Sequence, residues 1–144
     1  MISDTAILNA GYSGTPLAKK LGIKEACSVL TVDAPDYYEE LLGPLPANVT
    51  IGGEIRGQVD MVHVFVNNRD ELFRELAESV RLIKQNGSIW VSWYKKAANL
   101  PTEITEDTVR EAAFPLGLVD IKVCAVDAKW SGLKLVIRKE NRSQ

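Results

Sequence analysis

The stretch that most constrains this chain is residues 59–96, where an apolar run, a helical pattern and a second apolar run follow one another. The first run, Val59-Asp60-Met61-Val62-His63-Val64-Phe65-Val66, is too continuously apolar and β-branched for a sheet with one wet face. It predicts a central strand covered on both sides. Over 69–85, Leu72, Phe73, Leu76, Val80 and Ile83 recur at helical spacing as one apolar stripe, while Arg74, Glu75, Glu78, Arg81 and Lys84 fall largely elsewhere. Asn68 is placed to cap that helix, its side-chain oxygen accepting a first-turn amide while Glu71 reaches back. Asn86-Gly87 predicts a left-handed helix end, and residues 88–93, Ser-Ile-Trp-Val-Ser-Trp, a second strand. A helix that carries the chain between two strands makes them parallel, so the unit implies a parallel α/β sheet.

On the amino-terminal side, Gly11-Tyr12-Ser13-Gly14 reads as a flexed loop, Thr15 as an N-cap and Pro16 as the first residue of a short helix that stops at Gly22. Residues 27–32 read as a strand ended by Asp33-Ala34-Pro35-Asp36, residues 37–42 as a short helix, and 48–51 as a further strand before Gly52-Gly53. Beyond the central unit, 95–101 reads as a loop and Thr105 as the cap of a helix with Glu106 and Asp107 in its first turn, finishing near 114–117. Residues 119–126 and 133–138 predict two strands joined by a hairpin connection over 127–132.

Composition narrows the function classes. A chain of 144 residues, 46% hydrophobic and 25% charged, suits one globular domain. A formal charge of −2 and the absence of a long Lys/Arg run give no electrostatic reason to expect nucleic acid. No stretch approaches the ~20 apolar residues of a membrane helix, and the amino terminus lacks a signal-like apolar core. The expectation is a cytoplasmic protein with no membrane partner. Cys27 and Cys124 lack C-x-x-C spacing and read as small buried apolar groups; with a single histidine, His63, they offer no metal-ligand spacing. His63 lies in mid-strand, away from the loops where a hydrolase would need it, and reads as a core histidine with a hydrogen-bond partner. No P-loop or G-x-G-x-x-G occurs. Trp90 and Trp93 point to opposite faces of their strand and read as core.

The order of elements, with Asn-Gly-Ser-Ile-Trp-Val-Ser-Trp after an amphipathic helix and a closing hairpin, resembles the carboxyl-terminal half of Rossmann-like S-adenosylmethionine-dependent methyltransferases over residues 58–139. The fold expected is therefore α/β with three layers, a mostly parallel sheet and a carboxyl-terminal antiparallel strand. There is room for one strand fewer between Pro46 and Val59. Those enzymes carry a glycine-rich turn after their first strand, where this chain has Asp33-Ala34-Pro35-Asp36, so the expectation is of no bound cofactor unless the site has been rebuilt. The segments Gly-Tyr-Ser-Gly-Thr-Pro-Leu-Ala-Lys-Lys-Leu-Gly at 11–22, Leu-Gly-Pro-Leu-Pro at 42–46 and Trp-Ser-Gly-Leu-Lys-Leu-Val-Ile-Arg-Lys at 130–139 resemble a small bacterial family known as a domain of unknown function. That resemblance implies no activity.

Ligands of open α/β sheets bind outside the carboxyl ends of the parallel strands. Here those ends bring forward Asp33, Asn67, Asn68, Lys95, Lys96, Trp130 and Ser131 as a candidate site for a small polar ligand with an aromatic or cationic part. The plainer reading is that the lysines are solvated and Trp130 covers the hairpin. Ser13, Gly14 and Thr15 form a candidate anion site at the short helix start, unless they simply cap it. Three functions stay open: a non-catalytic domain binding a small molecule or protein at that edge, a small transferase using Lys95 or Lys96 for an anionic substrate, and an interaction subunit.

Overall fold

The computed structural model describes residues 15–142. In chain order the elements are α1 (Leu17–Leu21), β1 (Ser28–Val32), α2 (Tyr38–Leu42), β2 (Thr50–Gly52), β3 (Val59–Phe65), α3 (Arg69–Leu82), β4 (Ile83–Tyr94), α4 (Glu106–Ala113), β5 (Leu118–Ala125) and β6 (Trp130–Ile137), with short 3-10 turns after β4, α4 and β6. The strands form one sheet in the order β2-β1-β3-β4-β6-β5. Strands β1 to β4 are parallel; β6 runs antiparallel to both its neighbours. This is the three-layer, mostly parallel sheet with a closing antiparallel hairpin that the sequence predicts.

Alternation along each strand sends side chains to two cores. Val62 and Val64 of β3, with Ile89, Val91 and Trp93 of β4, meet Leu72 and Leu76 of α3 and Val109, Ala112 and Ala113 of α4. Met61 and Phe65 of β3, with Trp90 of β4, meet Leu17, Ala18 and Leu21 of α1 and Tyr38 and Leu42 of α2. Trp90 and Trp93 thus lie in opposite layers, and Cys27 and Cys124 are buried free thiols, as read from their neighbours. Each core is dry on a sheet face that a helix layer covers, which is why the central strands carry so few polar side chains.

The local signals hold with instructive exceptions. The Asn68 side chain accepts from the Glu71 amide at 2.9 Å, but the amide of Arg69 is taken by Glu103 at 2.7 Å, so the reaching carboxylate comes from another part of the chain. Thr105 and Thr108 form a reciprocal capping box at α4. Pro16 is the N-cap of α1, not its first residue, while Gly22 ends that helix with φ +90° as expected.

Helix α3 ends at Leu82, three residues before the predicted stop, and passes directly into β4 through Ile83 in extended conformation. Asn86-Gly87 is not a left-handed cap; both lie in β4, where the register jumps from Val59↔Ile83 to Met61↔Ser88. The glycine serves close approach. A Cβ there would stand 2.8 Å from the Asp60 carbonyl oxygen. At the other end, Trp130 and Ser131 belong to β6 instead of a loop, because Trp130 pairs with Tyr94 and Ser131 with Trp93.

Candidate functional site

The chain runs from β1 outward to β2, then returns across β1 to β3 and proceeds the other way to β4, so the strand order reverses between β1 and β3. Connections leave in opposite directions there, and a crevice opens at the carboxyl ends. Asp33 follows β1 and Asn67 follows β3, and between them lies a cavity of about 710 Å³ also lined by Asn68, Glu71, Tyr94, Glu103 and Trp130. The candidate residues Asp33, Asn67, Asn68 and Trp130 are brought together. Lys95, Lys96 and Ser131 do not line the cavity. The Lys95 amide instead donates to the Lys129 carbonyl, fastening the loop after β4 to the hairpin. Ser13 and Gly14 lie outside the described residues, and Thr15 precedes a helix of only five residues, too short to offer an anion site.

Two amides frame the crevice. Asn67 accepts the Tyr94 amide on its side chain at 2.9 Å and the Glu103 amide on its carbonyl at 2.8 Å, tying the ends of β3 and β4 to the segment before α4. Glu103 in turn caps α3. The Asp33 and Glu71 carboxylates have no hydrogen-bond or ion-pair partner among the described residues, and none of the described lysines or arginines lines the cavity. Asp33 also holds a left-handed backbone, φ +57°, a conformation that aspartate tolerates better than most residues.

One wall is aromatic. Trp130 stands perpendicular to Phe65 with ring centroids 4.9 Å apart and lies 4.5 Å from Tyr94. It is 8% exposed, yet its indole Nε1 has no hydrogen-bond acceptor among the described residues. A buried indole N–H is normally satisfied, and leaving one unpaired costs about 1–3 kcal/mol. Phe65 continues inward to stack on His63 at 4.3 Å. His63 is fully buried between the Tyr38 hydroxyl and the Ser92 hydroxyl, each at 2.8 Å, and burial pulls its pKa down to about 3. It is the hydrogen-bonded core histidine read from its mid-strand position, unavailable as a base to a ligand in the crevice.

Phe65, Glu71, Tyr94 and Glu103 were not among the candidates drawn from strand ends. Strand parity points Phe65 and Tyr94 along the same face as Trp130, a signal that was present. Glu103 depends on a contact across 34 residues with Arg69, which no local pattern announces.

The family defined as a protein of unknown function, DUF3052, matches residues 46–139. The chain belongs to the DUF3052 family. No curated protein matches it. Among solved structures, this DUF3052 chain is similar to an S-adenosylmethionine-dependent methyltransferase from Aquifex aeolicus, at 18% identity and TM-score 0.55, over 83% of this chain and 87% of that one. It is also similar to the magnesium protoporphyrin IX methyltransferase of Synechocystis PCC 6803 with bound S-adenosylhomocysteine, at 10% identity and TM-score 0.57, over 85% and 78%. Aeropyrum pernix fibrillarin aligns at 13% identity and TM-score 0.53, over 93% and 74%. At these identities the likeness shows a methyltransferase-like fold.

The turn after β1 fits poorly the adenosyl cofactor that this fold implies. Ala34 and Pro35 stand where glycines would let backbone approach a ligand, Pro35 has no amide, and its carbonyl is engaged by the Tyr38 amide at 3.0 Å. Among the described residues no group of three or more His, Cys, Asp or Glu is placed to hold a metal ion, and no helix is long and apolar enough to cross a membrane.

Proposed function

We propose that this DUF3052 domain is a non-catalytic binding module that takes a small ligand with a cationic part at the carboxyl edge of its sheet. The observation that carries this reading is the meeting, in one crevice, of the Asp33 and Glu71 carboxylates, unpartnered among the described residues, with the aromatic rings of Tyr94 and Trp130. The carboxylates attract positive charge, and the rings of Tyr94 and Trp130 offer π faces to a cation. Such a lining works against the rival reading, a transferase holding an anionic substrate on Lys95 or Lys96. A concave crevice of this size also suits a small molecule better than a flat protein partner.

The test is thermal unfolding of the full chain against S-adenosylmethionine, S-adenosylhomocysteine, choline and spermidine. A ligand at 100 times its dissociation constant stabilises the fold by about 2.7 kcal/mol and moves the midpoint by several degrees. The expected result is a shift from positively charged compounds only, lost in Asp33→Asn and weakened in Trp130→Phe. Silence from every cation overturns the ligand, and methyl transfer from S-adenosylmethionine to any acceptor overturns the non-catalytic reading.

A further inference from the structure

The opposite edge of the sheet carries a second cavity, of about 420 Å³, beside the amino ends of the parallel strands. Its charged lining is Lys24, Lys84 and Lys134 against Glu25 and Asp60. Asp60 is already committed. It accepts from the Ser28 amide at 2.9 Å and the Ser28 hydroxyl at 3.1 Å, and it pairs with Lys84 at 3.0 Å. Desolvation works to raise its pKa, but those bonds outweigh it and hold the carboxyl below its ordinary value. Lys84 is therefore neutralised within the fold.

Lys134 is different. It sits half-buried in β6, directly opposite Lys122 of β5, and its ammonium has no hydrogen-bond or ion-pair partner among the described residues. Its ammonium lies 3.0 Å from where a Cβ on Gly22 would stand, so the glycine leaves the room it occupies. Burial lowers its pKa, and the positive charges of Lys122 and Lys24 lower it further. Like charges directly opposite in a sheet are destabilising, and nothing among the described residues offsets this pair. Lys122 donates to the Lys20 carbonyl at 2.8 Å, which anchors its ammonium beside the group without neutralising it. A neutral donor completes the lining: Ser88 is 7% exposed, and its hydroxyl has no partner among the described residues.

We propose that this amino-edge cavity binds a phosphate group carried by a small soluble molecule, held by Lys24, Lys134 and the Ser88 hydroxyl with Lys122 alongside. Among the described residues Glu25 is the one uncommitted carboxylate on the lining, so the lysines there leave net positive charge. A compact dianion answers two repelling ammonium groups at once, where a single carboxylate would answer one. The site stands apart from the acid-lined crevice, and neither depends on the other.

The experiment is a titration of the full ¹⁵N-labelled chain with inorganic phosphate, pyrophosphate and AMP, followed by amide chemical shifts. Shifts confined to Gly22, Ala26, Ser88 and Lys134 are expected. Lys134→Met should weaken the fitted dissociation constant at least tenfold and Ser88→Ala about threefold, with Lys96→Met unchanged. Because Lys134 repels its neighbours in the free fold, Lys134→Met should unfold at or above the temperature of the parent. Shifts spread over all surface lysines, or insensitive to Lys134→Met, overturn the site, as does a large fall in that variant's midpoint. Co-sedimentation with phosphatidate vesicles in the absence of any response to soluble phosphates would assign the lysines to a membrane surface and overturn it too.

Discussion

The imidazole of His63 bridges two strands by pairing with the Ser92 hydroxyl 2.8 Å away, and the Tyr38 hydroxyl closes the other ring nitrogen at the same distance. Both hydroxyls can donate or accept, so a neutral ring is satisfied in either tautomer. A charged ring must donate twice inside a core, and burial makes that costly.

Acid stability follows from this burial. The folded pKa of His63 is lowered to about 3 from an ordinary 6.5. The unfolded chain thus takes up a proton below about pH 6.5 that the native chain refuses, so stability is full above that pH and falls as pH drops. Between pH 7.5 and 5 the loss should be about 2 kcal/mol. Urea unfolding across that range measures it, and His63→Gln should flatten the slope.

Trp130 separates packing from recognition. Trp130→Ala removes the ring that stands against Phe65 and Tyr94 and should destabilise by ~3–5 kcal/mol. Trp130→Phe keeps an aromatic ring there while removing the Nε1–H and part of the indole bicycle, so its cost should be clearly smaller, about 1–2 kcal/mol. Denaturant midpoints of the two variants decide it.

Gly87→Ala should be costly for a reason unrelated to helix termination. The new methyl would meet the Asp60 carbonyl at 2.8 Å and the Lys84 carbonyl at 3.1 Å, both backbone atoms with little room to move. A loss of ~1–3 kcal/mol is expected in chemical unfolding.

The cap of α4 is the mildest change. Thr105→Ala removes the acceptor for the Thr108 amide and breaks the reciprocal box, at a cost of ~1 kcal/mol. Hydrogen exchange should show faster opening confined to the first turn of that helix, with the β3 and β4 amides unchanged.

Much of the architecture is legible along the chain because its causes are local. The uninterrupted apolar run at β3, the stripe of α3, Asn68 and Thr105 at helix starts and Gly22 at a helix end each act within a few residues. The misreadings occur where a distant backbone intervenes. Asn86-Gly87 has the chemistry of a helix stop, yet pairing with β3 draws it into β4, and Trp130 looks like a loop residue until Tyr94 pairs with it.

The sequence by itself determined the class of sheet, the burial of His63 and the general edge where Asp33, Asn67, Asn68 and Trp130 would meet, since periodicity and strand direction settle these. Tertiary structure alone decided that Glu71 and Glu103 join them while Lys95 and Lys96 do not, and that Lys134 faces Lys122 without a counter-charge. The physical reason is that charge balance in a cavity is a sum over residues far apart in sequence. Packing brings them within a few ångströms, and no local pattern records that sum.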